Sequence, residues 1–484
     1  MTKLSLLLIL LCGPFFLPAQ QLNVLWIIGE DVSPDMACYG HPGVWTPHID
    51  QLAADGVRYT RAYTTAPVCS PSRSAFMTGM YQMSIGAHNH RSHREDGYTL
   101  PPGVKVITDW LRDKGYYTAN LVNLTGDPNE KYFKGTGKTD WNFHYEGKPF
   151  DSKNWSDLKD HQPFYAQVNF PETHRGGAWN NSHKNIERTA NPDSVLLPPY
   201  YPDHPEARAV WAQYLNTIMS LDRKVGKVLE LLERDGLADN TVVIFMGDHG
   251  RAMVRSKQWP YESGLRVPLI IRWPKGMTPP DGFEAGTVSD RMLYSIDVSA
   301  TTLAIAGIQP PLGMQGRVFL GEWNSPDRQY VFGGRDRGDE TVDRIRTVSD
   351  GRFRYLRNFY PDRPFLQTNR YKENEYPIIH LMRELQAEGK LTPDQERLLA
   401  PTRPTEELYD LRSDPYELNN LAKDPVYRDV LERLRGVLDA WMIEINDQGR
   451  IPESPEIPIF WENKMKEIYD TRIEAMLKKR ANKQ

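Results

Sequence analysis

The sequence predicts an α/β fold: a large, mostly parallel sheet flanked by helices, followed by a smaller C-terminal α+β domain containing an antiparallel sheet. Three observations predict it. Between residues 23 and 271, apolar β-branched runs recur without the alternation of a half-exposed strand. Helical patterns stand between those runs. Near residue 340 the texture changes to short strand-like segments around a turn.

The first run, NVLWII at 23–28, ends on Gly29 and is followed at once by Glu30 and Asp31. Similar runs stand at 118–122, 165–170, 241–246 and 268–271. Apolar periodicity predicts helices over 49–55 and 105–114. A longer one is predicted over 205–235, where Tyr214, Ile218, Leu221, Val225, Val228 and Leu232 keep one face apolar. Ligands of such sheets gather at the carboxyl ends of strands, which singles out Glu30, Asp31, Asp248 and His249. Beyond 340, segments 344–348 and 352–357 flank Ser349-Asp350-Gly351, a tight-hairpin signal. A polar stretch over 360–405 leads to a short strand at 407–411, an amphipathic helix over 425–446 and a lysine-rich end (464–483) that reads as a solvated helix face. The expected division is a catalytic domain over 21–340 and a C-terminal domain over 341–484.

The chain has 484 residues, 39% apolar, 25% charged and 11% aromatic, with net charge -4. This composition excludes a disordered chain, a coiled coil and a multi-span membrane protein, and the acidic balance excludes a globally basic nucleic-acid binder. Residues 1–20 read as a signal peptide: Lys3, an apolar run from Leu4 to Leu17, and small Ala19 before Gln20. The run is shorter than the roughly 20 residues a membrane helix needs, so cleavage rather than anchoring is expected. Bulky Leu11 before Cys12 argues against lipidation. Cleavage removes the single charge of Lys3, taking the net charge from -4 to -5, and leaves two of the three cysteines, Cys38 and Cys69. Two cysteines do not make a disulfide scaffold, although counting alone permits one bridge between them.

The sharpest local feature is VCSPSRSAFMTG at 68–79. Ser70 before Pro71 reads as a helix cap with proline at the first turn. Cys69 is thereby placed at a helix N-terminus, where backbone N–H groups favour an anion, with Arg73 one turn on. A small buried cysteine ahead of a surface helix has the same pattern, and the residues alone leave both readings open. A cysteine phosphatase would space Cys and Arg by six, where this chain has Ala75. Two acids after one strand and Asp248-His249 after another would repel without a cation. Mostly oxygen ligands favour Ca²⁺ or Mg²⁺ over Zn²⁺.

CSPSR followed by TG resembles the signature of the type I sulfatases. The likeness extends to 23–31, to TVVIFMGDHG at 241–250, to KQWPYESGLRVP at 257–268 and to ELYDLRSDPYELNNL at 407–421, and so spans nearly the whole chain after the leader. Within the family it looks nearest to the sulfamidase (heparan N-sulfatase) branch. The resemblance implies an alkaline-phosphatase-like fold and oxidation of Cys69 to formylglycine by a maturation enzyme during export. It also implies Ca²⁺ held by Glu30, Asp31, residue 69, Asp248 and His249. Two positions depart from the pattern: Glu30 stands where the family usually has Asp, and His249 where sulfamidase has Asn. Lys138, in GKTD at 137–140, carries over as a sulfate-gripping lysine, but the histidine expected two residues later is Asp140. His174 matches a histidine that touches the bridging atom of the substrate, and Lys257 a basic sulfate-binding residue. With Arg73 these complete the implied catalytic set of Cys69, Arg73, Lys138, His174 and Lys257.

Basic loops further along, GAHNHRSH at 86–93 and RDRGDE at 335–340, offer His88, His90 and Arg337 to an anionic saccharide. A salt-bridged surface between domains is the equal alternative. The expected activity is removal of sulfate from a sulfated glycan, as glucosamine N-sulfate or an O-sulfate ester. Alternatives are a phosphomonoesterase, phosphodiesterase or phosphonate hydrolase on the same fold, and a glycan-binding protein with unconverted Cys69. The expected location is periplasmic or secreted, or lysosomal in a eukaryote, with no membrane or nucleic-acid partner after cleavage.

Overall fold

The computed structural model describes residues 21–93 and 95–482; the expected signal peptide lies outside the described residues. Its large sheet contains β1 (Asn23–Gly29), β2 (Val57–Tyr63), β3 (Tyr117–Asn123), β4 (Ser152–Asn154), β5 (Phe164–Phe170), β6 (Thr241–Gly247), β7 (Arg266–Arg272) and β8 (Val288–Tyr294). They lie in the order β4-β3-β5-β1-β6-β7-β2-β8. β1, at the centre, pairs in parallel with β5 on one side and β6 on the other, and all three are buried end to end. Their two-sided burial explains the unbroken apolar runs. Leu25 and Ile27 join the core beneath the long helix Pro205–Arg234, with Leu221 and Val225. Val24, Trp26 and Ile28 pack on the opposite side with Phe76 and Met77 of the helix Cys69–Thr78.

One strand departs from expectation. β7 runs antiparallel to both neighbours, β6 and β2. A parallel return needs a crossover, usually a full helix. Here only the short helix Glu262–Leu265 precedes β7, so the chain doubles back beside β6. β2, β4 and β8 have mixed burial and carry no comparable apolar run.

The second sheet is antiparallel throughout: β9 (Val331–Arg335), β10 (Ile345–Ser349), β11 (Phe353–Asn358) and β12 (Glu406–Asp410), in the order β12-β11-β10-β9. Its first strand therefore comes from before residue 340. Asp350-Gly351 makes the β10–β11 turn, where Gly351 takes a left-handed φ of +86°. Helix Arg428–Glu444 packs Leu434, Leu438 and Trp441 against Val348 and Tyr355. The polar stretch over 360–405 is not all loop: it folds into helices including Arg370–Glu375 and Pro377–Ala387, whose Ile378, Ile379, Leu381 and Met382 are buried. A buried arginine of this sheet reaches the large sheet, and another braces the second sheet to its own helix. Arg354 of β11 donates to Glu262 at 2.6 Å, and Arg346 of β10 donates to Asp447 at 2.8 Å and Asp336 at 3.0 Å.

The close meeting of β1 and β6 depends on glycine. A Cβ on Gly247 would stand 2.6 Å from the Val32 carbonyl oxygen. Gly247→Ala is therefore expected to lower stability by about 1–3 kcal/mol, as for other overpacked interiors. Thermal unfolding checks this; an unchanged midpoint contradicts the packing described.

Candidate active site

The site is assembled where β1 and β6 end. Asp248 N–H donates to the Gly29 carbonyl at 3.1 Å, Asp31 N–H donates to Asp248 Oδ1 at 2.8 Å, and Val32 N–H donates to the His249 carbonyl at 2.9 Å. These bonds extend the strand pairing by two residues and bring two carboxylates together. Asp31 adopts a left-handed φ of +52°, which Asp tolerates better than most side chains and which recurs at functional sites.

The third contributor is helix Cys69–Thr78, which starts at Cys69 after an extended Val68. Ser70 is not its cap, contrary to the sequence reading: no side-chain cap bond is made. Its hydroxyl instead accepts from Arg91 N–H at 2.9 Å and meets His90 Nδ1 at 2.9 Å, tying the 86–93 loop to the helix. Cys69 is buried, its Sγ 3.2 Å from His249 Nε2 and 3.7 Å from Asp31 Oδ1. One ligand atom from each of Asp31, Cys69, Asp248 and His249 lies within 4.8 Å of every other. His249 Nδ1 faces the Gly250 carbonyl at 2.8 Å, so that nitrogen carries its proton and Nε2 is turned to the group. Two carboxylates, an imidazole nitrogen and residue 69 fit a divalent cation.

Cations surround this group. Lys257 Nζ donates to Asp31 at 2.6 Å, and Arg73 donates to Asp248 through Nη2 at 2.9 Å and Nε at 3.2 Å. Burial pushes Asp31 and Asp248 up, but their neighbours win: Lys257, His174 and His249 hold Asp31 well below the usual range, and His249 and Arg73 lower Asp248. Burial opposes charge on His249 too, yet Asp248 and Asp31 lift it to about 10, so imidazolium balances carboxylate; a bound cation would take over that balance and require neutral imidazole. Burial would also raise the Cys69 thiol, but Lys138 and Lys257 bring it down to about 6. Cys38 is half-buried and unbridged, its thiol pushed up to about 12 by burial and by Asp50.

The other expected residues divide. Lys138 reaches the site, donating to Glu30 at 2.9 Å. Glu30, expected as a ligand beside Asp31, stands outside the four-residue group: it accepts from Lys138 and faces Arg73 at 3.9 Å. His174 is half-buried; its Nδ1 meets the Arg175 carbonyl at 2.8 Å, which leaves Nε2 for a substrate atom. His90 is committed to Ser70, and Arg337 is buried and held bidentate by Glu453 at 2.5 and 3.0 Å. Arg337 is thus held in an ion pair with the segment before the last helix. His88 is buried with Nδ1 unpartnered and lines a separate cavity. Sequence reasoning missed Asn169, which accepts from Arg73 Nη1 at 2.7 Å, and Tyr371, whose ring lies 5.4 Å from Lys257 Nζ. A polar Asn inside the apolar run of β5 was the signal for the first; the second lies in the stretch read as polar.

The sulfatase family model matches residues 22–308, and the chain belongs to that family. It is a sulfuric ester hydrolase. It is 36% identical to an ulvan-active sulfatase of Formosa agariphila, over 91% of this chain and 78% of that protein. It is 26% identical to the N-sulphoglucosamine sulphohydrolase of Homo sapiens, over 89% of this chain and 91% of that one. Its fold matches BT1596, a 2-O GAG sulfatase, with TM-score 0.62 at 21% identity, covering 91% of this chain and 96% of the other. Among the described residues no helix is long and apolar enough to cross a membrane.

Two outcomes follow. In chelator, unconverted protein should develop thiolate absorbance with a midpoint near pH 6, from Cys69 alone since Cys38 is held near 12. The Cys69 pKa is depressed on folding, so the thiolate form is lost as pH falls through 6; a midpoint near 9 contradicts the charge balance described. Titrating free Ca²⁺ into chelated protein should raise the unfolding midpoint, by an amount equivalent to about 2.7 kcal/mol at 100 times Kd. No Ca²⁺ dependence contradicts the cation site.

Proposed function

We propose that this protein is an exported sulfatase, periplasmic or secreted, that removes sulfate from a sulfated glycan by formylglycine-dependent hydrolysis with a bound Ca²⁺. The observation that carries this is the buried group of Asp31, residue 69, Asp248 and His249 at a helix start, with Lys138 and Lys257 beside it. The Cys69 Sγ stands in for an oxygen of the converted residue. Formylglycine, made by a maturation enzyme, supplies a hydrated aldehyde: one hydroxyl as nucleophile towards sulfur and a second that allows sulfate to leave without attack by water. Ca²⁺, held by Asp31, Asp248, His249 and residue 69, supplies a hard positive charge that polarises oxygen. The chemistry belongs to residues 21–340, and 341–484 complete the walls.

The chain's own residues do the rest. The N–H groups of the first turn of Cys69–Thr78, together with Lys138 and Lys257, stabilise charge on the sulfuryl oxygens. Lys257 is positioned by Asp31, and Lys138 by Glu30, so both ammonium groups are pre-oriented. Arg73 acts through Asp248, whose carboxylate it fixes. His174, its Nδ1 anchored on a carbonyl, gives a proton from Nε2 to the bridging oxygen or nitrogen as that atom's bond to sulfur breaks. The likeness to an ulvan-active sulfatase and to an N-sulphoglucosamine sulphohydrolase supports a sulfated glycan as substrate, carrying an O-sulfate or an N-sulfate.

Mass spectrometry of the peptide spanning residue 69, from protein made with its maturation machinery, should show the aldehyde. An unmodified thiol throughout refutes the mechanism. The converted enzyme should release sulfate from ulvan oligosaccharides or N-sulfated glucosamine, and faster turnover of a phosphate diester than of every sulfate ester contradicts the reading. Lys138→Ala should lower kcat by about 10²–10³, as for loss of one oxyanion donor. His174→Ala should lower it by about 10²–10⁴ while leaving the unfolding midpoint near wild type.

A further inference from the structure

Lys257 is held by more than Asp31. It lies in the connection after β6 between two residues of left-handed backbone, Arg255 with φ of +62° and Gln258 with φ of +71°. Neither is glycine, and such conformations persist only where the surroundings over-determine them. Hydrogen bonds supply that constraint here. Lys257 N–H donates to the Arg251 carbonyl at 3.1 Å, and Gln258 N–H donates to the carbonyl of Pro67, just before Cys69, at 2.6 Å. The Lys257 carbonyl itself accepts from Lys372 Nζ at 3.1 Å. Lys372 is buried, has no ion-pair partner among the described residues, and lies with Nζ 5.5 Å from the Trp259 ring centroid. Burial, with Arg335 and Lys257 close by, holds its amine well below the usual lysine range. A lysine buried without a carboxylate is costly. Folding alone therefore gives no reason for it, whereas its bond to the Lys257 carbonyl does.

The preceding residue meets the other end of Lys257. Tyr371 is half-buried, its ring centroid 5.4 Å from Lys257 Nζ and 6.3 Å from that of the His174 ring. An ammonium within about 6 Å of a ring centroid is attracted to the face of the ring. Asp31 accepts from the same Nζ at 2.6 Å, so two partners fix the ammonium while a donor remains for a sulfuryl oxygen. Tyr371 and Lys372 both belong to the helix Arg370–Glu375, which is itself anchored. Asn369 caps it, accepting from Lys372 N–H at 3.1 Å and donating to the Gly338 carbonyl at 3.1 Å. Arg370 donates to Asp470 of the last helix, Glu456–Ala481, at 2.8 Å.

We propose that Tyr371 and Lys372 are positioning residues for sulfate hydrolysis, Lys372 pinning the left-handed backbone around Lys257 and the Tyr371 ring holding its ammonium, which rests on the sulfate-binding role given to Lys257 above. A helix of the C-terminal segment then sets the aim of a lysine in the catalytic lobe. Neither residue touches the reacting atoms; both act through Lys257. The ring face rather than the phenol makes the contact, so phenylalanine should serve at 371.

The test uses the full-length converted enzyme with ulvan oligosaccharides and N-sulfated glucosamine. Lys372→Met keeps the volume and removes the donor: the unfolding midpoint should stay at or above wild type while kcat/KM falls by about 10–10², the effect of a small misplacement of a binding group. Tyr371→Leu should cost about tenfold, and Tyr371→Phe should stay within about threefold of wild type. In a Lys257→Met background the losses from Tyr371→Leu and Lys372→Met should disappear, because both act through Lys257. A lowered midpoint in Lys372→Met, equal losses in Tyr371→Phe and Tyr371→Leu, or losses undiminished in the Lys257→Met background overturns the proposal. Crystal structures of the variants separate it from the role it rests on. Lys257 Nζ displaced from Asp31 in Tyr371→Leu and Lys372→Met supports the positioning even where Lys257→Met keeps wild-type turnover, a result that removes the sulfate-binding role instead. Nζ unmoved in both variants overturns the positioning.

Discussion

Asp31 and Asp248 sit at the ends of adjacent strands with no exposed surface, and burying an ionised carboxylate costs several kcal/mol unless opposite charge accompanies it. The surrounding architecture supplies that charge. Lys257 reaches Asp31 from the loop after β6, Arg73 reaches Asp248 from the helix that carries Cys69, and His249 follows Asp248 directly. The cations come from two segments, the connection after β6 and the helix that carries Cys69, so the carboxylate pair fixes the relative placement of β1, β6 and the helix start. A divalent ion among them would complete a balance that the protein already approaches.

The arrangement also explains why an acidic protein suits an anionic substrate. Net charge is -4, yet the field at residue 69 is set by Lys138 and Lys257 at short range, strongly enough to bring a buried thiol down to about 6. Local geometry outweighs the global sum because the site is buried and unscreened. Glu30 belongs to this logic in a different way from Asp31: paired with Lys138, it holds a lysine beside the site.

Most of the catalytic lobe was legible because its signals are local. The apolar runs of β1, β5 and β6 reflect burial on both faces, and the acids that follow them mark the strand ends. What escaped depends on distant partners. β7 is antiparallel because its connection from β6 holds no crossover helix, only Glu262–Leu265, and an apolar run does not encode that. Ser70 has the right type and place for a helix cap, but the 86–93 loop claims its hydroxyl. Arg337 reads from sequence as available for substrate, and its ion pair with Glu453, just before the last helix, depends on a partner over a hundred residues away. Tyr371 and the helices of the 360–405 stretch were hidden by a polar composition whose apolar residues are few but well placed.

In the proposed site residue 69 shares one cation with Asp31, Asp248 and His249, leaving Glu30 to Lys138. A crystal structure of the converted protein grown with Ca²⁺ would show this directly. One ion should be bonded to all four residues, at about 2.3–2.6 Å for its oxygen ligands, with the Glu30–Lys138 pair intact. An ion ligated by Glu30, or residue 69 remote from it, would overturn that ligand set.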